Sequence, residues 1–385
     1  MGAKKNINIA VIGTGFMGKT HSYAAANLPF FYEGLPFRAV LHTICSRDGQ
    51  KGEKIRDEWG FKHCETDFDK ILENPEIDVV DICTPNILHF DTIVKALGAK
   101  KHIYCEKPLV ISAAEAEGVI KKLEEEKKGA NPLCAMVFHN RFSPAVLRAK
   151  QLLAEGRLGR LISFRCAYRH NSNIDQNKKA GWKQTAANGG GVLFDLGSHA
   201  IDLVRFLCGD IESVSGKSQI FFPVRPGMDG KEWKTDADEA FYITAKLPGG
   251  AIGTIEATKL SSGTNSDLAF EIYGEKGALR YSLMQPNFLE FYDETRPEGE
   301  YGGERGFVRI ECVQRYPKPG DAFPGPKSPV GWLRLHMHSI YLYLEGVYNG
   351  KLSKLSPDFY DGAAVQKIME KAFLSDQSGK WEEID

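Results

Sequence analysis

The hydrophobic pattern of this chain changes character once, near residue 139. Before it, apolar residues come in short unbroken runs. Ile7, Ile9 and Val11 lie in a stretch ending at Gly13, followed by residues 38–45 (RAVLHTIC), 78–83 (DVVDIC), 102–105 (HIYC) and 133–138 (LCAMVF). Runs without alternation predict strands buried on both faces. Helical segments lie between them, a short one at 67–73 and one that opens with the capping box Ser112/Glu115 and runs to Gly129. Strands alternating with helices predict a parallel sheet with right-handed crossovers.

Beyond residue 139 the pattern differs. Ser143-Pro144 opens a helix that ends near Gly156, and strand-like runs then follow one another at 160–168, 211–222, 240–247, 251–259, 268–273, 278–283 and 288–292. Gly249-Gly250 and residues 274–277 read as hairpin turns, so this second sheet should be mainly antiparallel. One long helix, 192–207, is inserted between the first two of these strands, preceded by Gly189-Gly190-Gly191 and closed by Gly209. Residues 296–331 are rich in proline and glycine, lose periodicity and read as a long loop; helices at 334–348 and 358–374 close the chain. The expected fold is α/β in two domains, residues 1–138 and 139–385. A length of 385 residues agrees with two cores, since single cores stop growing at roughly 250–300 residues.

Composition narrows the partners. Lys and Arg number 49 against 50 Asp and Glu, so no basic surplus points to nucleic acid. No apolar run approaches the ~18 residues of a membrane span, and the opening MGAKKNINIAVIG reaches glycine too soon for a secretory signal. A cytoplasmic location is expected. The eight cysteines are scattered without a C-x-x-C pair and read as small buried hydrophobes in a reducing compartment.

Candidate chemistry begins where the first strand ends. Gly13-Thr14-Gly15-Phe16-Met17-Gly18 has G-x-G-x-x-G spacing at a strand-to-helix junction, the arrangement that seats a dinucleotide pyrophosphate. Gly13 permits the turn, Gly15 admits the phosphate, Gly18 lets the helix lie close, and N–H groups at the helix start face the anion. Gly13, Gly15, Phe16, Met17 and Gly18 are therefore cofactor-binding candidates. At the tip of the second strand, Ser46 and Arg47 suit the 2′-phosphate of NADP, whereas Asp48 suits the free 2′-hydroxyl of NAD; a solvated turn is the competing reading. Ligands of such sheets lie beyond the carboxyl ends of the strands, which brings Asn86, His89, Glu106 and Lys107 to one crevice.

In the second domain Asp195, His199 and Asp202 are spaced i, i+4 and i+7 on an otherwise apolar helix. A histidine on such a helix is often a satisfied core residue, but the glycine run before it permits a ligand to lie against the backbone. An imidazole near its ordinary pKa of ~6.5, beside a carboxylate, suits the base that takes the hydroxyl proton when a carbinol gives up hydride. Lys107 can then donate to the same oxygen. A metal reading of Asp195 and His199 lacks a third ligand, and His336-Met337-His338 has i, i+2 spacing; no metal is expected. No G-x-S-x-G supports a nucleophilic serine.

The trio Gly13-x-Gly15-x-x-Gly18, Glu106-Lys107-Pro108 and Asp195-x-x-x-His199 resembles the glucose-fructose oxidoreductase / inositol dehydrogenase / MocA (Gfo/Idh/MocA) family, essentially end to end. The resemblance implies an N-terminal Rossmann dinucleotide-binding domain and a C-terminal α/β domain with a large, mainly antiparallel open sheet that often makes homodimers or homotetramers. It implies catalytic roles for Lys107, Asp195 and His199: His199 as acid/base, Asp195 orienting it or sharing substrate contact, Lys107 binding the reacting hydroxyl. Thr84, Pro85, Asn86 and His89 match its cofactor-lining loop. Trp182-Lys183 matches a Trp-Arg pair that touches the cofactor, with Lys183 departing from the usual Arg. The Lys107–Pro108 bond is implied to be cis.

The text at 249–258 and Gly331-Trp332 resembles the levoglucosan dehydrogenase and glycoside 3-dehydrogenase-like branch, which implies NAD or NADP as cofactor with the balance tipped slightly to NAD, and oxidation of a secondary pyranose hydroxyl. His139 falls on a substrate-facing position and is counted with His170 as substrate-binding, although Arg169-His170 departs from the branch's pattern. The implied function is a nicotinamide-dependent dehydrogenase of a sugar, sugar derivative or cyclitol. The alternative is a glycoside hydrolase that uses NAD for transient oxidation.

Overall fold

A computed structural model describes residues 4–384 of the chain. Its first sheet holds six parallel strands: β1 (Lys5–Ile12), β2 (Phe37–Cys45), β3 (His63–Glu65), β4 (Val79–Ile82), β5 (His102–Cys105) and β6 (Cys134–Met136). They lie in the order β3-β2-β1-β4-β5-β6, the doubly wound order of dinucleotide-binding sheets. Strand order reverses between β1 and β4, whose registers run Ile9 against Val79 to Ile12 against Ile82. Their carboxyl ends therefore border the crevice in which such sheets take ligands. The buried runs behave as their composition requires: Ala10, Val11, Val80, Ile82, Ile103 and Cys105 have essentially no exposed surface.

Helices α1 (Phe16–Phe31), α2 (Gly49–Trp59), α3 (Phe68–Glu73), α4 (His89–Gly98) and α5 (Ala113–Lys127) connect these strands. Ser112 caps α5 as its capping box predicts, its hydroxyl accepting from Glu115 N at 3.2 Å. Helix α2 and strand β3 were not legible in the sequence. The first is mostly charged, and the second has three residues with no buried position.

The chain divides into two compact units, residues 1–142 with 314–363, and residues 143–313 with 364–385. The sequence boundary at 138/139 differs from this division, because the first unit takes back a late segment. Helix Trp332–Asn349 packs on α1 and completes the first core. Tyr341 stacks on Tyr32 at 4.0 Å between ring centroids and Tyr343 on Tyr104 at 4.9 Å. Thirteen positions of this helix are buried, so it is apolar nearly all round, as an internal helix must be.

The second unit opens with α6 (Pro144–Ala154) and β7 (Leu161–Arg169), followed by α7 (Ser198–Cys208). Its remaining strands are β8 (Ser213–Gln219), the small pair β9 (Val224–Pro226) and β10 (Glu232–Lys234), β11 (Ala240–Lys246), β12 (Ile252–Thr258), β13 (Asp267–Gly274), β14 (Gly277–Ser282), β15 (Phe288–Asp293), β16 (Val308–Glu311) and β17 (Glu382–Glu383). Nine of them form one sheet in the order β16-β15-β14-β13-β7-β12-β11-β8-β17. Every pair is antiparallel except β7 with β12, so the sheet is mixed but mainly antiparallel. Burial alternates along β13 and β15, one face buried and one partly open. Two expectations need correction. The stretch expected to be a structureless loop, 296–331, supplies edge strand β16. The helix expected over 192–207 begins as a π-helical turn, Leu193–Gly197, before α7 continues in α geometry.

Candidate active site

In the first unit the glycine turn has the shape its spacing predicts. Gly13 sits at φ +116°, a conformation side chains rarely adopt, and a Cβ there would stand 2.6 Å from the Cys83 carbonyl oxygen. A Cβ on Gly18 would overlap the Gly13 carbonyl oxygen. Gly15 has nothing within 4 Å of its Cβ position, so the turn leaves open the side from which a pyrophosphate would approach. Gly15 also heads α1 with no side-chain cap, leaving first-turn N–H groups for an anion. Next to this turn Phe16 is exposed and stacks on Trp332 at 5.7 Å, and Met17 is half-buried. These residues fit a dinucleotide.

At the β2 tip Ser46 is buried and Arg47 exposed, while the Asp48 carboxylate caps α2 by accepting from Lys51 N at 3.1 Å. Beyond β4, Thr84 and Pro85 are half-buried and Asn86 buried. His89 is placed differently from a lining residue. It has no exposed surface, and its ring spans from Pro108 O (2.9 Å) to Thr84 O (3.1 Å), with burial pushing its pKa down. Its role is to tie two loops of the crevice together.

Beyond β5, Glu106 is buried and the half-buried Lys107 leaves the strand end through a cis Lys107–Pro108 peptide. Behind Glu106 lies a cluster the sequence did not reveal. His21 of α1 contacts Asp81 of β4 through Nδ1 at 2.9 and 3.1 Å and Glu106 through Nε2 at 3.1 Å. With Cys83, His21 and Asp81 lie close enough to surround a metal ion, but both ring nitrogens of His21 are already engaged, Nδ1 by Asp81 and Nε2 by Glu106, which leaves none for a ligand bond. His139, expected to face substrate, is buried in the first unit, stacked on His336 at 3.7 Å and edge-on to Trp332. Burial and the nearby His139 and His21 push the His336 pKa well down, so that ring is neutral.

The second unit holds the other candidates. Asp238, fully buried, accepts from Leu193 N at 2.8 Å, and its carbonyl accepts from Val192 N, so it anchors the start of the π turn. Burial raises its pKa to about 6. From that turn Asp195 projects a carboxylate whose Oδ2 accepts from Lys183 Nζ at 2.9 Å and from Lys259 Nζ at 2.5 Å. Asp195 is thus held by two ammonium groups. His199 is buried on α7 and its ring centroid lies 5.9 Å from that of Tyr168. Asp202, the third member of the i, i+4, i+7 set, is buried on the same helix.

His170 follows β7, its N–H donating to Thr258 O; burial first, then Lys259, lower its pKa to about 4. Trp182 is exposed beside Lys183, whose Nζ lies 5.6 Å from its ring centroid. Lys259 was missed, and its signal is weak: a lysine closing an apolar strand-like run. It is 5% exposed, and a buried lysine requires an anion.

The structure therefore groups Gly13, Gly15, Glu106 and Lys107 around the first unit's crevice, and Lys183, Asp195, Lys259 and His170 around the start of the π turn in the second. Residues 7–131 match the Oxidoreductase family, NAD-binding Rossmann fold, and residues 146–280 match the GFO/IDH/MocA C-terminal domain. A levoglucosan dehydrogenase of Pseudarthrobacter phenanthrenivorans is 29% identical, the alignment covering 99% of this chain and 98% of that protein. A scyllo-inositol 2-dehydrogenase (NAD(+)) of Bacillus subtilis is 31% identical over 71% of this chain and 73% of its own. Among solved structures, a levoglucosan dehydrogenase in complex with NADH and levoglucosan superposes with a TM-score of 0.91 at 29% identity, covering 99% of this chain and 100% of the other.

Proposed function

Since the chain belongs to the GFO/IDH/MocA family of oxidoreductases, with an NAD-binding Rossmann domain, we propose that it oxidises a secondary hydroxyl of a pyranose or a related cyclitol through Lys107, Asp195 and His199. The nucleotide is NAD, against the pull of Arg47 toward a 2′-phosphate. When bound, NAD supplies the hydride acceptor for the carbinol carbon. The chain's own groups handle the proton. His199 takes it from the hydroxyl as the C–H bond breaks, and the Lys107 ammonium stabilises the oxygen as it gains negative charge. Asp195, held ionised by Lys183 and Lys259, orients the sugar or the imidazole.

The observation that carries the reading is the position of Lys107, leaving the carboxyl end of β5 in the sheet whose first strand ends in the open glycine turn. The relatives' names point to a pyranoside with a compact anhydro ring or to an inositol. We place the enzyme in the cytoplasm as a homo-oligomer. Eight unbridged cysteines support the first, and the partly open face of the nine-stranded sheet supports the second. The test is titration with NAD and NADP followed by a panel of anhydrosugars, pyranosides and inositols, read at the nicotinamide absorbance. NAD binding with reduction by one of these classes is expected. No nicotinamide binding, or sugar release from glycosides without net reduction of NAD, would reject it.

A further inference from the structure

Asp81 is an oddity of the first sheet. It occupies β4, a strand buried at all four positions, where a carboxylate needs a counter-charge. His21 supplies it from α1, three residues past Gly18. One ring nitrogen faces Asp81 and the other Glu106, both groups almost wholly buried. A neutral imidazole has one N–H, so it can donate to only one of the two acids and must turn a lone pair toward the other. Both contacts become hydrogen bonds when the ring carries two protons. Burial opposes that charge, but the Asp81 carboxylate and Cys83 outweigh it and hold the His21 pKa well above its ordinary value. The second oxygen of Glu106, Oε2, accepts from the backbone N–H of Lys107 at 3.2 Å. An unbroken line of bonds thus runs from β4 through α1 to the turn that carries Lys107.

We infer that His21 is a positioning residue for Lys107: a buried imidazolium that joins Asp81 to Glu106 and, through the second oxygen of Glu106, fixes the backbone from which the lysine reaches the substrate oxygen. This rests on the role given to Lys107 above. The cluster then holds one positive and two negative charges. Glu106→Gln gives a specific contrast. The carboxamide can donate to His21 Nε2 and still accept from Lys107 N–H, while a now neutral ring donates from Nδ1 to Asp81. The bonds and the net charge are conserved, and one proton is lost.

The experiment uses full-length protein labelled with ¹⁵N at its ten histidines. The His21 resonance is assigned from its loss in His21→Leu. At neutral pH the wild type should show both His21 nitrogens protonated, and Glu106→Gln should show a neutral ring. In kinetics, His21→Leu should lower kcat/KM for the sugar by about 10²-fold, the scale of a small misplacement of a catalytic group. Its NAD affinity should stay within roughly threefold. A neutral His21 in the wild type overturns the inference, as does a folded His21→Leu enzyme with unchanged kcat/KM, or a His21 ring still doubly protonated in Glu106→Gln. Should His21→Leu fail to fold, assignment passes to Glu106→Gln, whose single moved imidazole resonance decides. Failure of the wild type to bind NAD would reject the dehydrogenase reading, whereas the imidazole resonances test the cluster itself.

Discussion

A three-membered charge cluster lies beside the candidate residues of each unit, and the two are inverses. In the first, one imidazole lies between two carboxylates, Asp81 and Glu106. In the second, one carboxylate, Asp195, lies between two ammonium groups, Lys183 and Lys259. The ionisation of the central group is set by its neighbours in both cases, but burial differs. His21 and Asp81 are sealed, whereas Lys183 is nearly half exposed and Asp195 partly so. A sealed cluster holds backbone in place; a partly open one presents charge to a ligand. On the proposed function the contrast divides the work, with the first unit seating the nucleotide and setting Lys107, and the second managing the proton.

The sharpest break of that division is His199→Asn. Turnover should fall by roughly 10²- to 10⁴-fold, the range of a lost general base, with NAD affinity unchanged by fluorescence titration. Unchanged turnover would remove His199 from the reaction. The mirror experiment is Gly15→Ala. Its Cβ meets nothing within 4 Å, so the melting temperature should hold. NAD affinity should fall about tenfold or more, equivalent to ~1.4 kcal/mol, with turnover at saturating nucleotide little affected. An alanine enzyme with full affinity would place the pyrophosphate elsewhere.

Lys259→Met sharpens the second cluster, leaving Asp195 with Lys183 alone. We expect a fall of about tenfold in kcat/KM, the loss of one charge-assisted bond. The His170 pKa should rise from about 4 toward its ordinary value as the nearby cation is removed, visible as a shifted imidazole titration. A His170 titration that does not move would show that Lys259 has no part in depressing it.

The smallest effect concerns Asp238. Its folded pKa of about 6 exceeds the ordinary 3.8, so between these values the folded chain binds more protons than the unfolded one. The stability it contributes is complete below the lower value and is lost as pH rises through the higher. Asp238→Asn keeps an acceptor for Leu193 N and cannot ionise. It should melt a few degrees higher than wild type at neutral pH, with the gap closing toward pH ~4. A gap independent of pH would argue against a raised pKa.

The parallel sheet and glycine turn were legible because they rest on local signals, apolar runs alternating with helices and glycines at fixed spacing. The clusters were not, because their members are distant in sequence. His21 lies 60 residues from Asp81 and 85 from Glu106, and Lys259 lies 64 from Asp195. His21 reads on its own as one polar residue in a mixed helix, and Lys259 as the end of a strand. The Asp195-to-Asp202 spacing did indicate a special helix, but not the π turn at its start. There Gly197 lies so close to Leu193 that a side chain would stand 2.6 Å from it. The return of Trp332–Asn349 to the first unit was hidden for a related reason: a helix buried on nearly every side announces burial without saying in which core.

That return has a bearing on biosynthesis. During translation the first six strands leave the ribosome long before the helix that covers Tyr32 and Tyr104, with residues 143–313 of the second unit, 171 in all, synthesised in between. The nascent amino-terminal half must therefore wait with an open apolar seam, which is where a chaperone would bind and where a prematurely terminated chain would aggregate.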